Sequence, residues 1–222
     1  MANELDETKD PLSEKGRDAK VIEKQVKVPK EAKDVVFEVA LWVCGILPGL
    51  IFFFMKQRAK SYLQAVQQKI QAQASTIDNY MEQRVQILKN AAKLLDKAVD
   101  LDKEILEKVS AYRGGVSPDQ DTARVEMANS LDQLGRSINV AFEQYPNIQA
   151  HNEIQAAMQQ NAYLQKEITA ARDLYNDAVL EWNQAIFQWP TKKIVASRAG
   201  YTSRIPFSIS DETRQEARST FF

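Results

Sequence analysis

From Val35 to Met55 the chain reads VVFEVALWVCGILPGLIFFFM: twenty-one residues with one charge, Glu38, and seventeen uncharged residues in a row from Val39 onward. A helix rises 1.5 Å per residue, so about 20 apolar residues cross the roughly 30 Å hydrocarbon core of a bilayer. Lys33 and Asp34 close the run on one side, and Lys56, Arg58 and Lys60 close it on the other. Nothing else in the chain is apolar enough to offer this segment a fully buried site. The run therefore predicts a single transmembrane helix over 35–55, bent or loosened at Pro48-Gly49, which lipid-embedded helices tolerate. A cleaved secretory signal does not fit, because more than thirty polar residues come first and no A-x-A-like site follows. An acylated Cys44 does not fit either, since Trp42-Val43 precedes it where a small residue is required.

The flanks set the rest of the organisation. Residues 1–34 hold nine acidic and eight basic residues, with Pro11 and Pro29 and few large apolar side chains; that composition predicts a disordered polar tail. Beyond the anchor, residues 56–222 are expected to form a helical domain, rich in Ala, Gln, Lys, Glu and Leu and poor in Gly and Pro. Twenty-nine basic against thirty acidic residues leave a net charge of −1, which gives no global field to favour nucleic acid. The single cysteine, Cys44, excludes an intrachain disulfide.

Between Lys56 and Arg113 there is no Pro or Gly, and apolar residues such as Ile70, Ile77, Met81, Val85, Leu88 and Leu95 recur at steps of three and four. This is the stripe of one long amphipathic helix whose Gln-rich first turns form a stalk. Gly114-Gly115 breaks it, with Ser117 as the next N-cap and Pro118 at the first helical position. A second helix is expected over about Asp119–Glu143, with Gly135 allowing a close helix contact. A third is expected over about Ala150–Trp189, ended by Pro190. Short loops between long helices imply an antiparallel bundle. After Pro190 the helical period fades, so Thr191 to Ile209 reads as an extended strap, followed by a short last helix capped by Ser210.

Within the third helix, Asn176 and Asn183 stand one heptad apart on one face, with Arg172 a turn earlier. Tyr175, Val179, Trp182 and Ile186 form the adjoining apolar stripe. Polar groups at such a seam need partners and fix the register of the helix opposite; the alternative is a polar interior site. His151, the only histidine, reads as a surface or capping residue. Glu104, Glu153 and Glu167 lack the Glu-x-x-His partners of a di-iron bundle. No phosphate loop, Cys-x-x-Cys or nucleophile elbow is present, so the expectation is a non-enzyme with no cofactor, no metal and no small-molecule substrate.

One block is more specific than any of these patterns. Glu167-Ile168-Thr169-Ala170-Ala171-Arg172-Asp173-Leu174-Tyr175-Asn176, continuing through Trp182-Asn183 to Trp189-Pro190, resembles the signature of the LemA family of bacterial membrane proteins. Tyr145-Pro146 with Ala150, and Pro206-Phe207 with Glu212, Arg214 and Phe222, are similar to further parts of it. Ile77-Asp78, Arg84, Leu88, Asn90, Glu104 and Arg113 fall where the family has its first-helix signature. The resemblance covers roughly residues 35–222. It implies an all-α fold: one N-terminal anchor, then an antiparallel long-helix bundle. It also implies a single-pass protein of the bacterial cell membrane, its N-terminus outside and its bundle cytoplasmic. The charge count leans the other way, since six basic residues lie close before the run and four after it. Relatives in the family include a magnetosome membrane protein, which suggests roles in organising membranes, and no enzymatic activity is implied. The expected partners are the lipid bilayer and other proteins or copies of the chain. The role expected is a scaffold or adaptor, or alternatively a ligand-sensing bundle that signals through the stalk.

Overall fold

The computed structural model describes residues 24–95, 120–144 and 151–207. Five helices occur among them: α1 (Ala32–Val43), α2 (Ile46–Leu95), α3 (Gln120–Gln144), α4 (His151–Phe187) and α5 (Thr191–Ala199). The sole pairing of extended backbone among the described residues is an antiparallel bridge between Lys27 and Thr202. The chain divides into two compact units. Of the described residues, the first unit holds those up to Gln71 together with those from Tyr175 onward, and the second holds those between Ala72 and Leu174.

The second unit follows the heptad logic of its sequence. On α2, Ala74, Ile77, Met81, Val85, Leu88, Ala92 and Leu95 are buried, each three or four residues from the last. Leu131, Leu134 and Ile138 of α3 and Ile154, Leu164, Ile168 and Ala171 of α4 complete the core. Side chains at that spacing share one helix face, and burying them is the main favourable term. Gly135 faces the Asn161 amide, where an added Cβ would sit 3.4 Å from Nδ2. That is an ordinary contact distance, so the packing does not require the glycine.

The first unit departs further from expectation. Val35–Met55 is not one helix: α1 ends at Val43, Cys44 and Gly45 turn the chain, and α2 begins at Ile46. Among the described residues no helix is long and apolar enough to cross a membrane. The break falls at Gly45, whose φ of 137° disfavours residues with a Cβ, and not at Pro48-Gly49. Pro48 lies in the first turn of α2, where its missing N–H costs no helical bond. Gly49 lets the two helices close, because a Cβ there would come within 2.5 Å of the Trp42 ring. Phe37 meets Phe52 edge to face, centroids 5.6 Å apart. The run is thus a helical hairpin, and α2 starts ten residues before the expected Lys56.

Two further expectations are corrected. Residues 24–34 are not a free tail, since Val28 N–H donates to Tyr201 O, Ser203 N–H donates to Val26 O, and α1 already begins at Ala32. The segment after Pro190 is not extended throughout, since Thr191–Ala199 is helical and is ended by Gly200 at φ 70°. Ile194 and Ala196 bury themselves in the unit's core, which outweighs the weak helix preference of a Thr-Lys-Lys-Ile-Val run. The strap proper begins at Gly200. The expected break at Gly114-Gly115, the caps at Ser117 and Ser210, the last short helix and the pair Tyr145-Pro146 lie outside the described residues.

Candidate functional site

The hairpin of α1 and early α2 carries the molecule's most unusual surface. Val43 is 80% exposed, Ile46 76% and Leu47 73%. Val35, Val36, Val39, Ile51, Phe54 and the Trp42 edge are also largely exposed. Water-exposed apolar residues are common singly, but a contiguous band of this length marks an interaction surface.

The base of the hairpin is charged, and its charges are paired. Glu38, nearly buried on α1, accepts from Lys56 Nζ of α2 at 2.9 Å and pairs with Arg198 of α5. Glu31, just before α1, pairs with Lys33 and with the nearly buried Lys193 of α5. Hydrogen bonds from Lys193 and then Lys33 hold the Glu31 carboxyl below its ordinary value. Glu31 N–H donates to Asp34 Oδ2 at 3.4 Å, tying down the first turn of α1. Trp189 stands half-exposed beside Phe37, ring centroids 5.0 Å apart. An open cleft of about 390 Å³ lies here, bordered by Lys27, Glu31, Lys33, Trp189 and Lys193.

The sequence-selected residues of α4 hold the strap in place. Asn176 Nδ2 donates to Phe207 O at 3.3 Å, while its Oδ1 accepts from Phe207 N–H at 2.7 Å. Asn183 grips Arg204 in the same way, with both bonds at 2.8 Å. Each amide thus stands in for a strand, satisfying donor and acceptor of one strap residue. The heptad spacing of the asparagines matches the three-residue step of extended chain between Arg204 and Phe207, about 10 Å in both cases. Trp182 Nε1–H donates to Thr202 O at 2.9 Å, and the buried Tyr175 ring packs edge to face on Phe207. Pro190 follows a cis bond from Trp189 and starts α5. Further along the unit, Tyr62 Oη and Lys69 Nζ both donate to Glu181, each at 2.9 Å.

Arg172 and Glu167 belong to the second unit. Burial lowers the Arg172 guanidinium's affinity for its proton, Asp132 opposes that, and Arg84 adds to it. Glu167 hydrogen-bonds Tyr163 one turn earlier, which raises the tyrosine's pKa. Sequence reasoning missed the strongest polar contacts of this unit. Arg124, 2% exposed, clamps Asp78 with Nε and Nη2 at 2.6 and 2.7 Å. Arg84, 3% exposed, donates from Nε to Asn161 at 2.7 Å and from Nη2 to Asp132 at 2.6 Å. Arg84 and Asn161 interrupt apolar stripes at core positions, and that interruption was the available signal. His151 stacks on Phe142 with centroids 4.1 Å apart. Among the described residues no three His, Cys, Asp or Glu side chains are grouped to hold a metal ion.

These features define an all-helical bundle protein that carries an outward-facing apolar hairpin and a strap clamped by asparagines. The LemA family model matches residues 73–221, about two thirds of the chain, and the chain belongs to the LemA family. It is also similar to Protein LemA of Metamycoplasma hominis, 28% identical over 146 residues, which are 64% of this chain and 65% of that one. The match therefore spans just under two thirds of that relative's length.

Proposed function

We propose that the chain is a membrane-associated, non-enzymatic scaffold or adaptor. In this reading the apolar surface between Val35 and Met55 holds it on a bilayer, and the helical units are presented for self-association or for protein partners. The observation that carries the reading is the exposure of that run, whose Val36, Val43, Ile46, Leu47 and Ile51 stand outward instead of entering a core. Confinement to a membrane raises effective concentration, so weak contacts suffice for assembly. Asn176 and Asn183 are engaged with strap backbone, which weakens the alternative of a ligand-sensing polar interior. A cytoplasmic position for the bundle, which the family resemblance implies, is part of the proposal.

The test is membrane fractionation of cells expressing the full chain, followed by lysine crosslinking in the isolated membranes. Recovery with the membranes, with crosslinked multimers or a defined partner, is the expected result. A chain that is membrane-bound yet strictly monomeric and partnerless sinks the scaffold role. Recovery in the soluble fraction sinks the membrane part.

A further inference from the structure

We infer that the α4 face carrying Tyr175, Asn176, Trp182 and Asn183 is a groove for extended peptide, and that in the self-associated chain a second copy fills it with its own strap, residues 202–207. The inference rests on the self-association reading above and deepens it by naming the joint between copies.

The groove reads backbone. Asn183 donates to the Arg204 carbonyl and accepts from the Arg204 N–H, both at 2.8 Å. Asn176 makes the same two-bond contact with Phe207. Trp182 Nε1–H holds the Thr202 carbonyl at 2.9 Å. Pro206, between the two gripped residues, has no N–H to leave unpaired and biases Ile205 towards extended backbone. A peptide that adds to a sheet edge takes its affinity from main-chain bonds and its specificity from side chains at fixed steps. Here two amides on a helix stand in for the sheet. Side chains are read as well. The Arg204 guanidinium lies over the Trp182 ring, 5.7 Å from its centroid, and Phe207 meets Tyr175 edge to face. The groove thus selects extended chain with a cation and, three residues later, an aromatic ring.

The strap rests near the surface and hangs from an open joint. Among residues 201–207 only Ser203 is buried, the others being half-buried. Gly200 is exposed at φ 70°, and no atom lies within 4 Å of where a Cβ would stand. The backbone there can swing from left-handed to extended without displacing a neighbour. Just before it, α5 is anchored by buried Ile194, Ala196 and Ser197, which confines the movement to the joint.

The occupant follows from the fit. A second copy carries the same Thr202–Phe207 segment, so every bond between α4 and strap made within one chain can be remade between two. Exchange of an identical element costs little beyond bringing the chains together, and confinement to a membrane lowers that cost. Thr202 is gripped just after Gly200, so exchange sets the α5 ends of the two copies side by side about a two-fold axis.

The experiment uses the full chain expressed in bacterial cells, with the photoreactive p-benzoylphenylalanine in place of Phe207. Isolated membranes are illuminated, monomer and dimer bands are separated by denaturing electrophoresis, and the joined peptides in each are identified by mass spectrometry. The expected result is a dimer band in which position 207 is joined to the α4 peptide around Tyr175. Gly200→Val makes the left-handed turn costly and opens the joint, so it is expected to raise the ratio of dimer to monomer crosslinks by about tenfold. A ratio that stays level or falls overturns exchange at this joint. Joining of 207 to α4 in the monomer band alone, while lysine crosslinking still yields multimers, overturns strap exchange and leaves the scaffold reading standing. Joining of 207 to a different protein, or to another part of a second copy, overturns the assigned occupant. Absence of multimers with either reagent overturns both readings.

Discussion

Arg124 and Asp78 show how a single buried pair governs a helix contact. Removing one partner of such a pair takes the principal counter-charge from the other in a nearly dry core. Arg124→Ala is therefore expected to destabilise the fold by about 3–5 kcal/mol in denaturant titration, and the double variant Arg124→Met/Asp78→Leu by clearly less. Asn183 acts on backbone instead. Asn183→Ala leaves the Arg204 N–H and carbonyl without their amide partner, at a cost of about 1–3 kcal/mol, and trypsin cleavage at Arg204 is expected to accelerate. Glu181 brings a pH signature. Hydrogen bonds from Lys69 and then Tyr62 hold its carboxyl below its ordinary value of 4.5. The folded chain thus binds fewer protons than the unfolded one over that interval. This contribution is complete above 4.5 and fades as pH falls towards the folded value. A small loss of thermal midpoint in Glu181→Gln is expected at neutral pH, and the gap to the unaltered chain is expected to close under acid. Legibility at this scale was uneven. Asn176 and Asn183 stood out because amides on an apolar seam demand partners, and the strap met that demand. Arg124 looks in the sequence like any solvated helix charge, and only its neighbours make it interior.

Elements differ in how much they owe to local sequence. α4 ends at Phe187, two residues before the expected Trp189, because the apolar period and the helix-breaking Pro190 agree there. α5 runs against local preference and is held by Ile194, Ala196 and the Lys193 ion pair, all of them tertiary. The glycines make the same contrast testable. Gly135 has ordinary contact distance above it, so Gly135→Ala is expected to stabilise by about 0.5–1 kcal/mol through helix propensity alone. At Gly49 the methyl of an alanine would fall within 2.5 Å of the Trp42 ring. Gly49→Ala is therefore expected to lower the midpoint by forcing α1 off α2, with Trp42→Ala restoring part of the loss in the double variant.

At the scale of the whole molecule, the question is which apolar residues are core and which are surface. Val36, Leu47 and Ile51 are each more than 60% exposed. Replacing them by Ser, Gln and Gln is expected to change the stability of detergent-solubilised protein by no more than about 0.5 kcal/mol per site, while abolishing recovery with membranes. Comparable substitutions at Leu63, Ile77 or Ile186, all fully buried, are expected to unfold it. Sequence by itself determined the helical class, the family, the place where α4 ends, and the apolar run as the feature that sets this chain apart, because hydrophobic period and helix breakers act over a few neighbouring residues. Only the tertiary structure decided that the run folds back at Gly45, that Lys56 and Arg198 meet on Glu38, and that the strap lies along two asparagines. Those outcomes depend on groups up to 160 residues apart in the chain, and no local pattern carries the free energy that brings them together.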